Sequence, residues 1–196
     1  RRSLTIILEY QMNRWLILYL SFIFIGCSSQ QNFVSIDSGN HAEIEILEKD
    51  FSRVFGSGKL VGKGQSNFSS NFVFESKDDF SYIVFKDIIG RRLFLVEVDK
   101  NNTRYVNMRK NEEIEIEDFN KFFPVATKFD ASTYKRLLWG TPDIFEDLQV
   151  KTKNTFLIST KLISRDGVNF LNELTFSLNN EKQKYTILFN KRNFEI

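Results

Sequence analysis

Val168-Asn169-Phe170-Leu171-Asn172-Glu173-Leu174-Thr175-Phe176-Ser177-Leu178 carries the longest clean alternation in the chain. Successive side chains of a strand point to opposite faces, so Val168, Phe170, Leu174, Phe176 and Leu178 share one apolar face. Tyr185, Ile187 and Phe189 repeat the pattern downstream, and strands are also expected from about Leu148 to Ser159. Upstream, Phe68, Phe72 and Phe74 alternate with polar residues. Ser81 to Lys86 and Arg91 to Val98 form the next pair of strands, the second dense in Leu93, Phe94, Leu95 and Val96. Asn101-Asn102 makes a turn, and Thr103 to Met108 reads as a short strand.

Helices interrupt this series twice. Ile44, Leu47, Phe51, Val54 and Phe55 fall on one face at helical spacing, which predicts a helix over Ala42 to Phe55 ended by Gly56-Ser57-Gly58. In the middle of the chain Phe119, Phe122 and Phe123 sit at i, i+3 and i+4 before Pro124. Asp130 is placed to cap a second helix bearing Tyr134, Leu137 and Leu138, which ends at Trp139-Gly140 ahead of Pro142. One helix, about five strands, two short helices and about four strands make a mainly β (α+β) chain. The expected architecture is a single curved antiparallel sheet, an open and incomplete β-barrel with helices across its open side. A packed β-sandwich is the alternative that strand patterning leaves open.

The first residues differ from all this. Met12-Asn13-Arg14 is short and basic, and Trp15 through Ile25 run almost without a polar residue, broken only by Ser21. Those 11 residues fall well short of the roughly 20 that span a bilayer as a helix. A basic start, a short apolar core and small residues near the cut form the secretory pattern, so residues 1–26 read as a signal peptide. Residues 1–11 are either upstream sequence before the true start or a longer basic region. Cys27 is the only cysteine, which excludes an internal disulfide. Phe24-Ile25-Gly26-Cys27 resembles the lipobox of bacterial lipoproteins, with Phe24 in place of the usual leucine. The resemblance implies that the Cys27 sulfur receives diacylglycerol and its new amino terminus a third acyl chain. Residues 27–40 then read as the lipidated cysteine and a polar tether, and residues 41–196 as the folded domain.

The whole chain has 27 basic and 25 acidic residues, and removing Arg1, Arg2, Arg14 and Glu9 with the leader leaves 24 of each. A balanced domain has no bulk electrostatic footprint for nucleic acid, and by this measure no polybasic patch for anionic lipid. Chemistry-bearing motifs are equally sparse. His41 is the one histidine, too few for a His/Cys metal site, and reads as a solvated residue at a helix start. No G-x-S-x-G elbow occurs. Gly56 to Gly64 is rich in glycine, but Gly62-Lys63 is followed by Gly64, which breaks the Walker A spacing. Those glycines read as a helix stop followed by a strand free to bend. Asp78-Asp79 and Glu112-Glu113 sit in turn-like contexts that fit solvated loops. No metal, cofactor or catalytic set is expected.

What stands out is 21 phenylalanines. They either fill a large core or in part line a cavity for an apolar ligand. From about Val61 to Phe189 the chain resembles the LolB-like proteins, the outer-membrane receptors of the bacterial lipoprotein-localisation system. Ser81 to Leu95 looks like the family's strand, Pro-Leu-Gly loop and strand, with Ile88 at the proline. Tyr134-Lys135-Arg136-Leu137-Leu138-Trp139-Gly140-Thr141-Pro142 looks like its helix ending in Gly-x-Pro. Val168 to Phe189 fits its paired C-terminal strands. The family's frequent tryptophan is absent at Leu137, with Trp139 two residues on.

The resemblance implies an open barrel with a helical lid whose cavity accepts acyl chains of lipoproteins, or similar lipids, from a periplasmic carrier. Carried over by position, Ile88, Ile89 and Gly90 form the membrane-transfer loop. Phe72, Phe74, Phe94, Phe122, Phe123, Leu137, Leu138, Phe170 and Phe176 are the cavity or lid candidates. The expected protein is a monomer without enzymatic activity, held by its lipid anchor on the periplasmic face of the outer membrane. A structural or assembly lipoprotein, whose β-domain binds another envelope protein and whose aromatics simply fill a core, is the rival reading.

Overall fold

The computed structural model describes residues 40–64, 67–100, 102–144, 155–178 and 183–196. The leader, Cys27 and the tether through residue 39 lie outside the described residues, as does the expected resumption of strands at Leu148. Residues 34–196 form a compact unit, which holds every residue of the hydrophobic core.

Helix α1 spans Ile44–Asp50 and is followed by strands β1 (Arg53–Gly64), β2 (Phe68–Lys77), β3 (Phe80–Lys86), β4 (Arg92–Asp99), β5 (Asn102–Asn107) and β6 (Glu112–Ile114). Helix α2 (Ile116–Phe122), a 3-10 turn at Ala126–Lys128 and helix α3 (Ala131–Trp139) come next. Strands β7 (Thr155–Arg165), β8 (Val168–Leu178) and β9 (Gln183–Glu195) complete the described elements. All nine strands join one antiparallel sheet in the order β6-β5-β4-β3-β2-β1-β9-β8-β7. The outer strands β6 and β7 do not pair, so the sheet is not closed. A single ladder, not a two-sheet sandwich, is therefore what the alternating faces build. Six strands precede α2, one more than the patterning suggests. The extra strand is β6, where Glu112 and Glu113 lie in extended backbone and not in a turn.

The first helix is shorter than its apolar spacing predicts. Ile44 and Leu47 are buried as expected, but the helix stops at Asp50, and Phe51 is already extended at φ −133° and ψ 137°. Val54 and Phe55 belong to β1, and Gly56-Ser57-Gly58 lies inside that strand, so it is not a helix stop. Pairing with both β2 and β9 outweighs local helical spacing here. The glycines have a packing reason. A Cβ on Gly56 would lie 2.0 Å from the Lys191 carbonyl oxygen, and one on Gly58 would lie 2.2 Å from the Phe72 ring. Large rings on β2 thus lie across the inner face of β1.

The opening stretch, β8, is a strand, but its alternation is broken once. Lys161 faces Glu173 and Leu162 faces Leu171, so Asn172 is an extra residue, and Phe170 and Leu171 are both buried. The pairing of β8 with β9 ends at Glu173. Beyond it, the Leu171 N–H donates to the Gly140 carbonyl at 2.7 Å instead. The bulge opens the sheet just where the end of α3 docks.

Candidate functional site: an aromatic interior and a protruding turn

Helices α2 and α3 pack their apolar residues on one face of the sheet. Phe119 on α2 stacks on Tyr105 with centroids 4.8 Å apart, and Phe122 meets Phe94 at 4.8 Å and Phe85 at 5.4 Å. No hydrogen bond from a side chain of α2 reaches the sheet among the described residues. Glu115, at its N-cap, makes no side-chain cap. Helix α3 is held differently. Asp130 accepts from the Thr133 N–H at 2.7 Å and so caps its start, while Gly140 closes its end at φ +82°. The Trp139 indole N–H donates to Ser76 Oγ at 2.9 Å, and Ser81 Oγ donates to the same oxygen at 2.7 Å.

The end of α3 also receives a buried cation. Arg192 on β9 is 4% exposed and donates to the carbonyls of Leu138 (2.8 Å), Leu171 (2.8 Å) and Leu137 (3.2 Å). Its guanidinium lies over the Phe189 ring at 4.2 Å, and a Cβ on Gly140 would come within 2.7 Å of it. Burial first, and nearby Arg165 second, push the group down to about 9. It stays charged at neutral pH because three carbonyls solvate it. Sequence patterning gave no sign of this residue, since a lone Arg between strand residues reads as a surface charge.

Between α3 and the sheet lies an apolar slot walled by Phe72, Phe85, Phe123, Tyr134, Leu137 and Phe189, among others. Its free volume is about 20 Å³, room for a single water. Four of the nine cavity candidates wall it: Phe72, Phe123, Leu137 and Leu138. Phe74 packs beside it against Phe72 and Phe189. Phe94 and Phe122 sit with the α2 cluster, and Phe176 meets Phe129 at 6.0 Å. Phe170 lies apart, in a group with Phe194, which also meets Phe51 and Trp139. The bulge at Asn172 explains why Phe170 does not share the surroundings of Phe176. Tyr134 is fully buried in the wall of the slot, and burial together with the neighbouring Tyr105 phenol raises it well above the ordinary tyrosine range. The two phenols are close enough to couple but make no hydrogen bond of normal geometry. His41 does not sit freely in solvent: it is half-buried and bridges to Asn169.

The β3–β4 turn is the opposite case. The Gly90 N–H donates to the Asp87 carbonyl at 3.0 Å, and Gly90 takes φ +86°. Asp87 Oδ1 accepts from the N–H groups of Ile89 (3.1 Å) and Arg91 (2.9 Å), and Oδ2 from Arg91 Nε at 2.7 Å and Arg109 at 3.3 Å. Partial loss of water opposes ionisation of Asp87. The side-chain and backbone hydrogen bonds from Arg91 outweigh it and hold the carboxyl below the usual range. A side chain and a glycine thus satisfy the turn at both ends. Ile88 and Ile89 are left at its centre, 81% and 68% exposed.

Cations gather at the same end of the sheet, which corrects the reading of no basic patch from net charge. Lys59, Asn71, Lys86 and Arg92 stand opposite one another in register on β1, β2, β3 and β4, on the face away from the helices. Nearer the end, Lys63 on β1 faces Lys184 on β9. Behind the row, Val73, Val84, Leu95 and Met108 help line a shallow groove of about 380 Å³ on that outer face.

Among the described residues no group of three or more His, Cys, Asp or Glu could hold a metal ion, and no helix is long and apolar enough to cross a membrane. No protein-family model matches the chain, and no curated protein matches it.

Proposed function

We propose that this chain is a LolB-like lipoprotein, anchored through Cys27 to the periplasmic face of the outer membrane, that accepts acyl chains and passes them to the bilayer. On this reading the sheet acts as an open barrel, α2 and α3 are its lid, and a periplasmic carrier supplies the cargo. The observation that carries the proposal is the turn at Ile88 and Ile89, two large aliphatics held in water by a braced loop. A triacylated cargo carries on the order of 40 methylenes at about 0.8 kcal/mol each, so it can travel only inside an apolar enclosure. One inserted Ile contributes roughly 1.5–3 kcal/mol, enough for brief engagement with lipid but not for anchoring.

The slot of about 20 Å³ is far smaller than an ordinary ligand pocket of about 300–1,000 Å³. Acyl chains therefore enter only if a helix lifts from the sheet. Helix α2, which apolar packing alone holds down, is the one that moves, while α3 stays fixed by Arg192 and Trp139. The filled interior also favours the second reading, a structural lipoprotein with a packed core that binds another envelope protein.

A fluorescent fatty acid mixed with the unlipidated domain (residues 34–196) separates the two. The transfer reading expects the probe to brighten and a lipopeptide to displace it, whereas a well-folded domain that leaves it dark is the structural protein. Ile89→Glu should leave the melting temperature unchanged, since the side chain has little packing to lose. It should keep uptake and abolish handover to liposomes, and normal handover by the folded variant removes the turn from the mechanism.

A further inference from the structure

The row of cations is placed against the expectations of sheet chemistry. Like charges directly opposite on neighbouring strands are destabilising, yet Lys86 faces Arg92 and Lys63 faces Lys184. Elsewhere on the same face the chain pairs its charges: Arg53 with Glu75, and Arg104 with both Glu97 and Glu113. Neither Lys86 nor Arg92 has an acidic partner among the described residues. Asp87, the acid of the adjoining turn, is occupied by Arg91 and Arg109. The unpaired cations therefore form a local field that the balanced net charge conceals.

We propose that this end of the sheet is an interface for anionic phospholipid, in which Lys59, Lys86, Arg92, Lys63 and Lys184 meet the headgroups while Ile88 and Ile89 enter the acyl boundary. Charge complementarity selects an anionic partner, and the two exposed isoleucines between the cations select a membrane over a nucleic acid or a soluble acidic protein. Aliphatic side chains at the tip and cations at headgroup level match the layering of a bilayer surface. The inference rests on the proposal that this turn meets the membrane, and adds to it the class of lipid.

Vesicle co-sedimentation of residues 34–196 tests it, because this segment lacks Cys27 and the apolar leader but keeps the whole core. Two vesicle types are used, phosphatidylcholine alone and equal parts phosphatidylcholine and phosphatidylglycerol. The domain should bind the anionic vesicles more tightly, and raising salt should erase the difference. Lys86→Gln with Arg92→Gln should weaken anionic binding by roughly 30-fold at low salt, while Lys59, Lys63 and Lys184 keep part of the preference for anionic vesicles. Ile88→Ser with Ile89→Ser should weaken binding to both vesicle types. Equal binding of wild type to both vesicles, or anionic binding untouched by the double glutamine variant, overturns the lipid-class proposal while leaving the transfer turn standing. The first of these results is also what a patch built for an acidic protein partner would give. Loss of the cation effect together with no effect of the isoleucine changes overturns both proposals. All variants must melt as wild type does, which the exposure of Ile88, Ile89 and Arg92 and the half-buried place of Lys86 on the outer groove allow.

Discussion

At the scale of single residues, Gly58 and Arg192 test whether the close approaches described above decide stability. Glycine in a strand interior is normally a weakness, and replacing it by alanine gains roughly 0.5–1 kcal/mol. Gly58→Ala should do the reverse, because the new Cβ would sit 2.2 Å from the Phe72 ring and 2.5 Å from the Leu188 carbonyl oxygen. The ring can shift but the backbone oxygen cannot, so a loss of about 1–3 kcal/mol is expected from a denaturation curve. Adding Phe72→Leu should recover only part of it, and a stabilised Gly58→Ala would show that β1 has room to spare. For Arg192→Met two effects compete. Removing a buried charge relieves desolvation, but it orphans the carbonyls of Leu137, Leu138 and Leu171, at about 1–3 kcal/mol for each one left unsatisfied. Three orphans outweigh one relief, so the variant should lose about 2–5 kcal/mol. Arg192→Lys should not rescue it, because an ammonium lacks the planar fork that reaches three divergent oxygens. A neutral or stabilising methionine would reverse this ranking.

At the scale of elements, the two helices over the sheet should open at different free energies. Helix α3 has an aspartate cap, a left-handed glycine end and side-chain hydrogen bonds to the strands, whereas α2 has seven residues and apolar packing alone. Backbone amides of Ile116–Phe122 should therefore exchange with deuterium at least about tenfold faster than those in the interior of α3. Equal protection would mean the helices lift together or not at all, and would remove α2 as the moving lid. The contrast between elements also explains what was legible in sequence. The ends of α3 were readable because Asp130 and Gly140 act on their own helix, whereas the loop at Ile88 and Ile89 was marked only by the resemblance, although Asp87 and Gly90 brace it from within. The boundary between α1 and β1 was not readable. Its outcome depends on β9, a strand more than a hundred positions away that pairs Arg53 with Glu195. The break in β8 was hidden for the same reason, since it answers to Gly140 and Arg192. The basic row was hidden because composition averages over the chain, while register selects which charges become neighbours.

At the scale of the whole molecule, alternating faces made a mainly β chain legible, but they left a single sheet and a sandwich both open, and the strand order was not legible at all. The order puts β9, made after every other strand described here, between β1 and β8. Until it arrives, β1 lacks one neighbour, β8 has only β7, and the end of α3 lacks the arginine that satisfies its carbonyls. Two incomplete halves, β6 to β1 and β8 with β7, must wait for a closing piece. Long-range pairing of this kind makes folding slow, because chain entropy is spent before the pairing offsets it. On the proposed reading, in which the chain crosses the inner membrane as an extended polypeptide, that delay would be an advantage. The sheet cannot be completed before β9 has emerged, so under that proposal the topology itself would act as a timer that keeps the chain translocatable until β9 is through.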